Sequence, residues 1–208
     1  MSTKKIRVAV IGATGSVGGA VLDICRRFPE RFEVVALAAK SNEAKLTELA
    51  SLHRARTLCL TEPRTASFKA EGYNCLTGTE ALSLIASDPD IDHIVFASSG
   101  VAAIKALQTA LREDKDVSLA NKESIVVAGP WVMPLVKRTD QLRPVDSEHS
   151  AIWQCIREEN KAEIQKIWLT ASGGPFRNYT REMLEKVTPE EALAHPVWKM
   201  GPKITVDS

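Results

Sequence analysis

Gly12 and Gly15 stand between a largely apolar run, residues 6–11, and an amphipathic run, residues 16–28, and Gly18 falls in the first turn of the second run. No other feature narrows the fold as far. A strand that turns through G-x-x-G-x-x-G into a helix lets backbone amides approach a ligand closely at a helix N-terminus. Unpaired N–H groups and aligned peptide dipoles favour a phosphate there. In an open parallel sheet this loop holds the pyrophosphate of a dinucleotide. A glycine triplet alone also fits a tight structural turn; the placement between strand and helix favours the nucleotide.

The rest of the first half supports such a sheet. Apolar runs at 32–39, 91–98 and 116–120 read as buried strands. Helical patterns at 42–53, 79–87, 101–113 and 123–136 alternate with them, and Pro89 and Gly100 fall at loop positions. Alternation of this kind, with strands apolar on both faces, predicts a Rossmann-like, doubly wound parallel α/β sheet. Residues 61–74 read as loop with a short element. Near residue 142 the character changes. Residues 143–149 read as a strand ending in polar residues, 150–159 as a helix, 164–171 as another strand and 203–206 as the start of one more. Thr188-Pro189-Glu190-Glu191 is a strong helix start. The expected organisation is a dinucleotide-binding domain over 1–145 and an incomplete α+β catalytic domain over 146–208.

Composition bounds the function. The chain has 208 residues, 44% of them hydrophobic, enough to bury a core without disulfides. A net charge of +1, with basic residues spread along the chain, argues against nucleic acid and anionic membranes as partners. The four cysteines have neither zinc nor redox spacing, which fits a reducing compartment. With no signal peptide and no membrane-spanning run, a soluble cytoplasmic protein is expected.

Polar residues gather where strands end. The second strand runs into Ala39-Lys40-Ser41-Asn42. An NAD site usually places an acid at this tip, so Lys, Ser and Asn favour the 2′-phosphate of NADPH. Glu43 opposes that preference, and a merely solvated Lys40 leaves it open. Asn121-Lys122-Glu123 follows another strand; a charged helix N-terminus is the plain alternative. Asp146-Ser147-Glu148-His149 places two carboxylates two residues apart. In an extended segment these share a side, with His149 turned away, and hard oxygen ligands select Mg²⁺ or Mn²⁺. An ordinary N-capped helix is the equal alternative. Thr170 to Phe176 can form an amide nest for phosphate, with Ser172 adding a hydroxyl, or a plain turn. His195 to Gly201 suits a lid over a small substrate, or a loop that caps a core.

Five segments together resemble the 1-deoxy-D-xylulose 5-phosphate reductoisomerases. They are Gly-Ala-Thr-Gly-Ser-Val-Gly at 12–18, Leu-Ala-Asn-Lys-Glu-Ser at 119–124, Val-Asp-Ser-Glu-His at 145–149, Thr-Ala-Ser-Gly-Gly-Pro-Phe-Arg at 170–177 and His-Pro-Val-Trp-Lys-Met-Gly at 195–201. The resemblance implies that Thr14, Gly15, Ser16 and Val17 line the NADPH pyrophosphate site, with Ala39, Lys40 and Ser41 or Asn42 near the adenosine ribose. It implies Asn121 and Glu123 at the nicotinamide side, and Gly201 near the cofactor. It gives Asp146 and Glu148 to the metal. Lys122, Ser147, Glu148, Ser172, His195 and Ser208 go to a sugar phosphate substrate, and Trp198 and Met200 to a flap. The implied reaction rearranges and reduces 1-deoxy-D-xylulose 5-phosphate to 2-C-methyl-D-erythritol 4-phosphate, in isoprenoid synthesis, by an enzyme that usually forms homodimers.

The sequence ends at Ser208, about half the family's usual length. The family's next segment carries an asparagine, a lysine and a third carboxylate. The competing expectation is therefore an NADPH-binding module without turnover. A reductase of acyl phosphates would need a catalytic cysteine, and Cys155 sits mid-helix with no matching segment.

Overall fold

A computed structural model describes residues 4–64, 68–158, 161–171 and 173–197. The chain divides into two compact units, 1–159 and 160–208. The first contains a seven-stranded sheet in the order β4-β3-β2-β1-β5-β6-β7. Its strands are β1 Ile6–Ile11, β2 Phe32–Ala39, β3 Thr57–Leu60, β4 Asn74–Thr77, β5 His93–Phe96, β6 Asp116–Leu119 and β7 Leu142–Pro144. Every pairing is parallel. The doubly wound α/β fold expected from the alternating pattern is the fold observed.

The apolar strands divide their side chains between two cores, because successive residues of a strand face opposite ways. In β1, Val8 and Val10 join Leu22 and Cys25 of α1 (Ser16–Arg27) and Leu46 of α2 (Glu43–His53). Ala9 and Ile11 join the opposite core. That core holds Leu82 and Ile85 of α3 (Ala81–Ser87), Leu107 and Leu111 of α4 (Ile104–Arg112) and Val132 of α5 (Lys122–Val132). A register slip between Val8 and Ala9 leaves Val35 as the extra residue on β2. Val35 and its neighbour Ala36 then both enter the second core.

The structure departs from expectation in three places. β3 and β4 extend the sheet beyond the apolar runs read from the sequence; β3 is only Thr-Leu-Cys-Leu, all four residues buried. The strand expected over 143–149 stops at Pro144, and α6 (Ser147–Ile156) starts three residues before the expected helix. Residues 164–171 form no strand: Ile167, Trp168 and Leu169 are exposed, and no described strand pairs with them. A ladder needs a neighbour to satisfy its backbone groups. The second unit contains α7 (Arg181–Leu184) and α8 (Pro189–Ala192). Thr188 and Glu191 form the reciprocal capping box that their spacing predicts. Residues 203–206 lie outside the described residues.

At the amino ends of β1 and β5, Arg7 clamps Asp92. Its Nε and backbone N–H both donate to Asp92 Oδ2 at 2.9 Å. These hydrogen bonds outweigh partial burial and hold the Asp92 carboxyl down at about 2. A carboxyl whose folded pKa is depressed stabilises the fold above the usual carboxylate range. It loses that contribution as pH falls from about 4 toward about 2. Asp92→Asn should therefore lower the urea midpoint near neutrality and flatten its decline in acid. An unaltered acid limb in midpoints measured down to about pH 2 would contradict this.

Candidate functional site

The chain runs outward from β1 through β4, then returns to place β5 on the other side of β1. Ligands of open α/β sheets bind beyond the carboxyl ends of strands at such a reversal. A cleft of about 440 Å³ lies there, formed by the β1–α1 turn, the tips of β2 and β3 and the segment after β5.

The glycines have separable duties. Gly12 sits at φ +92°, and a Cβ on it would stand 2.5 Å from Ser98 N and 2.6 Å from the Ala97 carbonyl carbon. A Cβ on Gly18 would overlap the Gly12 carbonyl oxygen, so this residue lets α1 pack against the turn. Gly15 is the N-cap of α1; no side chain caps that end, and its first turn carries no acid. A helix N-terminus in that condition attracts an anion. Thr14 and Gly15 line the cleft, and Ser16 and Val17 begin the helix just beyond. These features leave room and unpaired amides for an anion such as a phosphate.

Ala39 and Lys40 line the same cleft from the tip of β2. Ser41 lies in the neighbouring groove, and the Asn42 side chain caps α2 by accepting from the Lys45 N–H at 3.1 Å. The Lys40 ammonium lies 3.3 Å from Glu62 Oε2 at the end of β3. Sequence reasoning weighed Glu43 against Lys40 and missed Glu62, because β3 itself was not legible.

The segment after β5 was missed as well, although Ala97, Ser98, Ser99, Gly100 and Val101 all line the cleft. Its signal was the polar Ser98-Ser99-Gly100 at a strand end. Asn121 holds this loop. Its Nδ2 donates to the Ser98 carbonyl at 2.6 Å and the Gly100 carbonyl at 2.7 Å. Its Oδ1 accepts from the Ser124 N–H and hydroxyl at 2.8 and 2.7 Å. At 1% exposure Asn121 meets the cleft through the loop it anchors. Glu123 Oε1 accepts from the Gly100 N–H at 3.4 Å.

Between these two anchors, Lys122 reaches elsewhere. Its ammonium lies 3.5 Å from Asp146 Oδ2, and the Asp146 Oδ1 lies 2.8 Å from His149 Nδ1. Asp146 is the N-cap of α6, yet its carboxylate makes no capping bond. Burial pushes the Asp146 carboxyl up, but the His149 hydrogen bond and the Lys122 charge outweigh it and hold it below the usual range. The expectation that His149 turns away is corrected. Ser147, Glu148 and His149 are helical rather than extended, so residues three apart meet where residues two apart would in a strand. Glu148 Oε2 accepts from the Ser147 hydroxyl at 2.7 Å. Among the described residues no group of three or more His, Cys, Asp or Glu is placed to hold a metal ion. Two oxygen-donor carboxylates in one turn fit the minimal donor set of a hard cation that keeps several waters.

In the second unit, His195 Nδ1 accepts from the Val197 N–H at 3.2 Å, and Gly173 and Gly174 adopt φ of +78° and +61°. Ser172, Trp198, Met200, Gly201 and Ser208 lie outside the described residues.

Residues 8–129 match the family profile of 1-deoxy-D-xylulose 5-phosphate reductoisomerase, and residues 142–208 that of its C-terminal domain. The reductoisomerase of Thermoanaerobacter pseudethanolicus is 44% identical over 97% of this chain and 54% of its own length. That of Chlamydia trachomatis is 41% identical over the same shares. The structure of the Zymomonas mobilis enzyme in complex with NADPH superposes with a TM-score of 0.85 at 36% identity, covering 99% of this chain and 54% of that one. A DOX-P reductoisomerase structure with NADPH, fosmidomycin and magnesium gives 0.82 at 35% identity, covering 97% and 54%. The chain spans about half the length of the relatives it matches.

Proposed function

The chain belongs to the 1-deoxy-D-xylulose 5-phosphate reductoisomerase family, and on that premise we propose that it forms the NADPH- and metal-binding part of such an enzyme. The whole protein converts 1-deoxy-D-xylulose 5-phosphate to 2-C-methyl-D-erythritol 4-phosphate. The observation that carries this reading is the glycine-lined cleft at the reversal of strand order, with the uncapped N-terminus of α1 opening beside it.

In this reading the amides of Thr14, Gly15, Ser16 and Val17 receive the pyrophosphate. Ala39, Lys40 and Ser41 hold the adenosine ribose and its 2′-phosphate. Asn121 and Glu123 shape the nicotinamide side through the loop at Gly100, and Gly201 belongs to the cofactor site. Asp146 and Glu148 hold Mg²⁺ or Mn²⁺, giving up the contacts that His149 and Lys122 now make with Asp146. When bound, the metal supplies Lewis acidity to the ketone and hydroxyl of the substrate, and NADPH supplies the hydride. Lys122, Ser147, Glu148, Ser172, His195 and Ser208 orient the substrate, and Trp198 and Met200 belong to a flap that excludes water. The contact between Lys122 and Asp146 supports placing substrate and metal together. The reading also has the enzyme as a cytoplasmic homodimer, without nucleic-acid or membrane partners. No described helix is long and apolar enough to cross a membrane.

The test is NADPH oxidation with 1-deoxy-D-xylulose 5-phosphate and Mn²⁺, on this chain and on a version extended to the relatives' length. Turnover by the extended version is expected; turnover by neither rejects the enzyme reading. In the extended version Asp146→Asn should weaken metal-dependent substrate binding about 100-fold while NADPH binding stays nearly constant. Parallel loss of both would assign Asp146 to folding instead.

A further inference from the structure

Beside the tip of β2 stands an acid that the glycine cleft does not require. Glu62 follows β3, and its backbone N–H donates to the Lys40 carbonyl at 2.7 Å, so the β2–β3 ladder fixes it beside Lys40. Its carboxylate lies 3.3 Å from the Lys40 ammonium, and both residues line the cleft with Ala39. Dinucleotide sites of this topology read the adenosine ribose at this strand tip. An acid there accepts from a free 2′-hydroxyl, and a cation receives a 2′-phosphate. Here one residue of each kind stands at the tip, and the two are paired with each other.

Resting on the NADPH reading above, we propose that Glu62 is a specificity-determining residue of the cofactor site. It is the counter-ion that Lys40 gives up to a 2′-phosphate, and the acceptor that remains for a 2′-hydroxyl. A 2′-phosphate brings negative charge to an ammonium that Glu62 already neutralises, and two like charges on one cation oppose each other. The Lys40 and Glu62 side chains are 73% and 64% exposed, so solvent and salt keep the effect small. Glu62 therefore tempers the preference for NADPH without abolishing it. The Asn42 side chain is occupied in capping α2, and Glu43 and Arg64 stand with Ser41 in the neighbouring groove, so Lys40 and Glu62 are the charged pair that lines the cleft itself.

Equilibrium binding of NADPH, NADH, 2′,5′-ADP and 5′-ADP to the 208-residue chain tests this. Glu62→Gln should tighten both 2′-phosphorylated nucleotides about threefold to fivefold and leave the other two unchanged or weaker. In a Lys40→Gln background the same change should fall below about twofold, because the competition acts through the ammonium. An unchanged or lowered NADPH-to-NADH ratio, equal tightening of all four ligands, or a full effect without Lys40 would overturn the proposal. A wild-type chain that binds none of the four would overturn the cofactor reading itself, an outcome distinct from an unchanged ratio. Thermal unfolding of each variant separates a folding defect from a change in selectivity.

Discussion

Gly12→Ala should destabilise the first unit by about 3 kcal/mol and abolish dinucleotide binding. Two costs add. A side chain at φ +92° is strained by about 1–3 kcal/mol. The new methyl would also stand 2.5 Å from Ser98 N, and backbone cannot rotate away as a side chain can, so overpacking costs about 1–3 kcal/mol more. Relief would push the loop after β5 out of the cleft wall. Gly15→Ala is the informative partner. A Cβ there meets only the Gly12 oxygen, at 3.4 Å, so the fold should lose less than about 1 kcal/mol. That methyl nevertheless stands where a pyrophosphate approaches α1, and NADPH affinity should fall about tenfold or more. Urea unfolding and NADPH titration of the two variants separate the effects. Equal stability losses, or a Gly12→Ala protein that binds NADPH normally, would refute this division of roles.

Asn121→Ala should cost about 3 kcal/mol. It removes the cap of α5, worth about 1 kcal/mol, and leaves the Ser98 and Gly100 carbonyls without their donor, worth about 1–3 kcal/mol. NADPH affinity should fall about tenfold, because the loop that walls the cleft loses its anchor. Asn121→Ser distinguishes the two contributions. A serine restores the cap but cannot reach both carbonyls, so it should recover about 1 kcal/mol of stability and little of the affinity. Recovery of both together would make Asn121 a purely structural residue.

What was legible in the chain was local. The glycine turn and the two long strands beside it declare themselves within a few residues, since their requirements concern φ, dipoles and burial on both faces. β3 did not, because Thr-Leu-Cys-Leu is short and weakly patterned; it is a strand only because β2 and β4 flank it. The loss of β3 hid Glu62, and with it the counter-ion of Lys40. Ser98 to Gly100 gain their role from β5 lying against β1, a relation between distant segments. At Asp146 the sequence shows which residue types stand together but not their local geometry. Whether residues two or three apart converge depends on where α6 begins, and the helix begins at Ser147. Residues 164–171 carry a strand-like apolar pattern, but pattern alone supplies no pairing partner.

Arg7 and Asp92, which mark the starts of the two strands flanking the cleft, are 85 residues apart in the chain. Loop closure over that span is entropically costly and tends to come late in folding. A molecule that has formed only β1 and α1 already owns the glycine turn, but that turn faces nothing until β5 docks. In the proposed reading nucleotide capture is thus a property of the finished topology, and a refolding chain should regain its helical signal before its affinity. A dinucleotide seated as proposed would brace the seam between β1 and β5, so its binding energy would resist unfolding of the whole sheet rather than of one helix.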